Sequence, residues 1–65
     1  MTYEIINSAG VVLGSFELSF VSEAAIAGSV ISTLSLPNGT TIQVGPLGDG
    51  WVAWWGDQRV TVEEA

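Results

Sequence analysis

The sequence predicts a small α+β domain, mainly antiparallel β-sheet built of hairpins with one short helix. Three observations predict it. Alternating apolar and polar stretches recur between clusters of Gly, Asn, Asp and Pro, the mark of short strands joined by tight turns. One interval, from Ser22 to about Val30, is instead rich in alanine and spaced at three and four. The third is size: 65 residues, 48% hydrophobic and only 12% charged, make one folded domain with no room for a second core.

Thr2 to Asn7 alternates and is rich in β-formers, with Tyr3 and Ile5 on one face and Glu4 and Ile6 on the other. Ser8-Ala9-Gly10 supplies turn chemistry, and Val11 to Leu18 returns as a second strand, Leu13 two residues after Val11 and Leu18 two after Phe16. Ser22 is a suitable N-cap, and Glu23 suits the positive end of the helix dipole. Ala24, Ala25 and Ala27 favour helix, with Phe20, Val21, Ala24, Ala27 and Ile31 along one side. Gly28 weakens that helix by about 1 kcal/mol relative to Ala, and its end is expected near Val30. From Ile31 the period switches to two. Thr33 and Ser35 alternate with Leu34 and Leu36, Pro37-Asn38-Gly39 forms a turn, and Thr41 to Val44 returns, giving a second hairpin. Gly45-Pro46-Leu47-Gly48-Asp49-Gly50 reads as a loop. Trp51 to Trp55 is a strand, Gly56-Asp57-Gln58 a turn, and Arg59 to Glu63 a last strand with Val60 and Val62 inward. The expected order is ββαββββ.

Composition narrows the function. Seven acids against one base give a net charge of −6, with no histidine, cysteine or lysine, and Arg59 is the sole cationic side chain. A domain this small buries only about 60% of its unfolded surface, so its stability margin is a few kcal/mol. Neither a disulfide nor a thiolate metal site can supplement the core. The common nucleophile–base pairs cannot be built without histidine or cysteine. A carboxylate pair remains, but raising the pKa of one acid needs a deep cleft, and a body of radius of gyration about 11 Å has little room for one. The expectation is a protein that is not an enzyme.

The acids, at 4, 17, 23, 49, 57, 63 and 64, lack the spacing of a calcium loop. Asp49 and Asp57 read as local turn residues. Gly45, Gly48 and Gly50 are turn glycines rather than a phosphate cradle, because no helix with Lys or Ser/Thr follows. No cofactor is expected. No stretch reaches the roughly 18 apolar residues of a membrane helix, and the N-terminus lacks a basic n-region. The chain therefore reads as complete, mature and cytoplasmic. Nucleic acid and anionic lipid both demand lysine and arginine, so direct binding to nucleic acid or membrane is not expected.

Two features point to a protein partner. Adjacent strand residues face opposite ways, so Trp51, Ala53 and Trp55 share one face, and Val52 and Trp54 the other. Either both faces are covered, or Trp54 or Trp55 stays exposed as an interface anchor. The second feature is charge. Acidity keeps a hydrophobic mini-domain soluble, yet solubility needs only mixed charge. Seven carboxylates with one counter-charge create a negative field over most of so small a surface, and that field steers toward basic grooves of nucleic-acid-binding proteins. The expected contact residues are Glu4 and Glu17 on the first hairpin, Glu23 at the helix start, and Asp57, Glu63 and Glu64 at the last hairpin, with Trp54 or Trp55.

In size, charge and layout, with Thr2-Tyr3-Glu4-Ile5-Ile6 opening a hairpin, Ser22-Glu23-Ala24-Ala25 opening the helix and Trp51-Val52-Ala53-Trp54-Trp55 as a late strand, the chain resembles the small phage-encoded anti-CRISPR proteins that inhibit type I systems. The resemblance implies a non-enzymatic inhibitor in the host bacterial cell. It would occupy the basic surface through which a Cascade complex receives target DNA, by DNA mimicry, or block nuclease recruitment. A monomer is expected in preference to an oligomer. The alternatives are a small phage structural or assembly protein that self-associates through an edge strand, and a sugar or small-ligand binder using the tryptophans.

Overall fold

The computed structural model describes all residues 1–65. Its elements are β1 (Thr2–Asn7), β2 (Val12–Glu17), α1 (Glu23–Leu34), β3 (Gln43–Leu47), β4 (Gly50–Trp55) and β5 (Gln58–Glu64). The five strands form one sheet in the order β2-β1-β5-β4-β3, and every neighbouring pair is antiparallel. The architecture is α+β, a single sheet with one helix on one face. The Cα radius of gyration is 10.5 Å.

Three turns follow from local chemistry. The Asn7 side chain accepts from the backbone N–H groups of Ala9 and Val11 (2.9 and 3.0 Å), which fixes the β1–β2 reversal as an Asx-type turn. The β3–β4 and β4–β5 hairpins close through the same dipeptide, Gly48-Asp49 and Gly56-Asp57, with φ of 59° and 57° at the two glycines. A glycine with positive φ at the first central position suits a two-residue hairpin turn. β1 and β5 are hydrogen-bonded neighbours although they come from opposite ends of the sequence, with Ile5 opposite Val62 and Asn7 opposite Val60.

The core lies between the sheet and α1. Tyr3, Ile5, Ile26, Val30, Ala53, Val60 and Val62 form it, with Phe16, Leu34, Trp51 and Trp55 among the side chains packed around it. Burying Ile5, Ile26, Val30 and Val62 completely contributes about 1.5–3 kcal/mol each. Val60 and Val62 are inward as expected, and Tyr3 and Ile5, expected to share a face, are buried with them. Ser22 caps the helix as its spacing suggests, its hydroxyl accepting from the Ala25 N–H at 3.1 Å.

The interval 31–47 departs from expectation. Ile31 to Leu34 do not form a strand; they continue α1 to Leu34. Ile26, Val30 and Leu34 recur at intervals of four and lie against the sheet, so tertiary burial outweighs a short alternating pattern. The buried stripe therefore differs from the one read from the sequence: Ala24 is exposed, and Phe20, ahead of the helix, is 72% exposed. Pro37-Asn38-Gly39 does form a turn, with the Thr40 N–H donating to the Pro37 carbonyl (3.1 Å), but it leads from the helix to β3 instead of joining two strands. The loop expected over 45–50 is strand at both ends. Gly45, Pro46 and Leu47 belong to β3 and only Gly48-Asp49 turns. β3 is an edge strand, where a proline without N–H is tolerated.

α1 runs obliquely over the sheet. A Cβ on Gly14 of β2 would stand 2.6 Å from the Thr33 methyl, whereas Ala24 and Ala27 border a shallow groove with Ile42 and Val44 beside β3. The other face of the sheet carries no helix.

Candidate partner-binding face

The uncovered face is built by alternation. With Tyr3, Ile5, Val60 and Val62 turned toward α1, the intervening residues Glu4, Ile6, Arg59, Thr61 and Glu63 turn outward. The register then sets them in rows. Ser15, Glu4 and Glu63 lie side by side on β2, β1 and β5, and Gly50 follows on β4. Val12, Ile6, Thr61, Val52 and Gly45 form the next row, and Arg59, Trp54 and Gln43 a third.

Glu4 and Glu63 are direct cross-strand partners, an arrangement of like charges that works against the sheet. Glu17 lies one step along the same end, opposite Thr2, whose hydroxyl donates to its carboxylate (3.1 Å). Neighbouring strands are about 4.8 Å apart and alternate residues about 6.7 Å, so these three carboxylates start from backbone positions some 5–8 Å from their nearest neighbours. Glu64 stands at the same end in the helix-side row opposite Tyr3, with its side chain exposed. Asp49, in the β3–β4 turn, joins Glu63 and Glu64 around a shallow cleft of about 510 Å³ bordered also by Leu47, Trp51 and Thr61. The only cationic side chain, Arg59, lies four residues down β5 from Glu63, about 13 Å away along the strand.

Trp54 is the exposed tryptophan. Its ring lies 3.7 Å from the position a Cβ would take on Gly45, so the missing side chain makes its seat. It remains 37% exposed, while Val52 on the same face is only 9% exposed. Trp55 belongs to the other face, packed at the margin of the core.

Of the residues expected to meet a partner, the fold gathers Glu4, Glu17, Glu63 and Glu64 at one end and puts Trp54 on the same face as the first three. It does not bring Glu23 or Asp57 to them. Glu23 borders the groove between α1 and β3. Asp57 occupies the β4–β5 turn at the opposite end of β5, accepting from the Gln58 amide (3.2 Å). Asp49, expected only as a local turn residue, is the acid that the fold adds to this end. The Gly-Asp dipeptide it shares with the β4–β5 turn is the signal that places it at a hairpin tip. No helix is long and apolar enough to cross a membrane, and no set of side chains is grouped to hold a metal ion. No family model, curated protein or solved structure matches the chain.

Proposed function

We propose that this protein is a stoichiometric acidic inhibitor whose uncovered sheet face occupies the basic nucleic-acid-binding groove of a protein partner. The observation that carries the reading is the gathering of Glu4, Glu17 and Glu63 on adjacent strands, on the face that also exposes Trp54. Carboxylates on a rigid sheet present fixed negative charge where a groove expects phosphates. Trp54 adds a flat apolar contact that needs little ordering on binding, because its ring is already seated on Gly45. The resemblance to anti-CRISPR proteins gives the reading its most concrete form: a Cascade complex of a type I system, held off its target DNA by mimicry inside the bacterial cell. The action is occupation without turnover.

The test is capture of a purified type I surveillance complex by the tagged protein, with target DNA as competitor, at low and high salt. The reading expects capture that target DNA displaces and salt weakens. It expects the double variant Glu4→Lys/Glu63→Lys to lose at least tenfold in affinity while its circular dichroism stays unchanged. Capture indifferent to DNA, or affinity untouched by the double variant, would overturn mimicry by this face. Loss on Trp54→Ala alone would assign the contact to apolar packing.

A further inference from the structure

The two edges of the sheet are finished differently. On β3, Leu47 and Gly50 close a two-residue turn, so the alternation of an antiparallel ladder leaves the Pro46 nitrogen on the open side, where it has no hydrogen to offer. That edge is blunted. On β2 the ladder is fixed by Met1 and Leu18, which exchange bonds in both directions (2.8 and 2.9 Å). Alternation then makes Tyr3–Phe16 and Ile5–Gly14 the bonded pairs and turns the N–H and C=O groups of Ser15 and Glu17 away from β1. Three of the molecule's exposed large hydrophobics, Val11, Val12 and Leu13, stand at one end of this same edge, Val11 being 55% exposed.

We infer that β2 is a self-pairing edge: two copies of this chain join β2 to β2 antiparallel about a two-fold axis through Ser15, forming one ten-stranded sheet with both helices on the same side. Charge selects this arrangement. A parallel pairing would set the two Glu17 carboxylates against each other, and a register centred on residue 17 would do the same. About Ser15, the two Ser15 residues exchange their free backbone bonds, Phe16 lies over the side-chain-free Gly14 of the other copy, and Glu17 faces Leu13. The two-fold also sets Val11–Leu13 of each copy beside residues 17–19 of the other, which covers part of that exposed apolar group. The acidic ends are carried to opposite extremities of the pair. The bulge at Ile5/Ile6 limits regular pairing to about five residues a side. A patch of that length is at the small end of interface sizes, and association is expected in the upper micromolar range. The inference is independent of the acidic-inhibitor reading, since the uncovered face and its carboxylates stay free in the dimer.

Sedimentation equilibrium of the full chain, from low micromolar to near millimolar at low and high salt, tests it. The expected result is a monomer–dimer equilibrium that tightens with salt, because two bodies of charge −6 repel each other less when screened. Groove binding should weaken with salt, so the two readings fail separately. Ser15→Pro removes the outward N–H, leaves the β1 ladder intact and should give a folded monomer by circular dichroism. Leu13→Ser, at a solvent-exposed site on β2 outside the core, should weaken the dimer about tenfold without unfolding the domain. A single monomeric species up to the highest concentration, or a dimer indifferent to both changes, would overturn the inference.

Discussion

Gly14 and Gly28 look alike in the sequence and differ in what a methyl group would meet. Around Gly28 nothing lies within 4 Å of the added carbon, and its helical backbone is solvent-exposed. Gly28→Ala should therefore raise stability by about 1 kcal/mol, the propensity difference in a helix interior. At Gly14 the added carbon would sit 2.6 Å from the Thr33 methyl, and a β-branched side chain in a helix has little rotamer freedom to withdraw. Gly14→Ala should cost about 1–3 kcal/mol as α1 is lifted from β2. Thr33→Ser removes the obstructing methyl, so the double variant should recover most of that loss. Urea denaturation of the four proteins of the cycle measures it, and a purely additive cycle would show that the contact is not the cause.

At the scale of elements, α1 ends without the residue that best ends a helix. Ser35 takes the left-handed conformation (φ 54°, ψ 44°) and Leu36 donates back to the Ile31 carbonyl at 3.0 Å, the bond pattern of a Schellman stop. Left-handed backbone costs a residue with a side chain about 1 kcal/mol, so Ser35→Gly should raise the thermal midpoint by a few degrees. The same stop explains why the helix end was illegible. With no glycine at the cap, the sequence offers Gly28 as a false terminus, and Thr33 to Leu36 alternate for too few residues to separate a strand from the last helical turn. Elements set by local chemistry were readable: the Ser8-Ala9-Gly10 turn, the Ser22 cap, the shared face of Tyr3 and Ile5, and the inward facing of Val60 and Val62. The phase slip between Val11–Leu13 and Phe16–Leu18 was also present in the sequence, and the bulge on this pair is its structural counterpart. Pro46 inside β3 was not readable, since a strand proline depends on knowing which edge is open.

At the scale of the molecule, charge placement separates fold from function. Which acids share a face follows from strand register, a long-range property that spacing along the chain does not contain. Hence Glu4 and Glu63, far apart in sequence, are neighbours, while Asp57 and Glu63, six residues apart, stand at opposite ends of β5. Glu63→Lys converts the like-charge pair with Glu4 into an opposite-charge one and should stabilise the domain by about 0.5 kcal/mol in thermal or chemical melts at low salt. The same change should weaken capture of a basic partner. A variant that gains stability and loses binding cannot owe its lost binding to misfolding. If Glu63→Lys instead lowers stability, Glu4 and Glu63 avoid each other by side-chain rotation and the sheet carries no repulsion at that pair.

The pairing of β1 with β5 has a consequence for how the molecule is made. On its β5 side Ile5 finds its partner in Val62, so β1 has only β2 beside it until the last of the five strands has been synthesised. An isolated β1–β2 hairpin is marginal in water, and any nascent chain lacking β5 has neither the central ladder nor Val60 and Val62 to close the core. The domain should therefore gain its structure in one late step, after β5 clears the exit tunnel. Until then its apolar first hairpin stays open to chaperones and proteases, and the amount of protein a cell holds would depend on how quickly that last strand arrives.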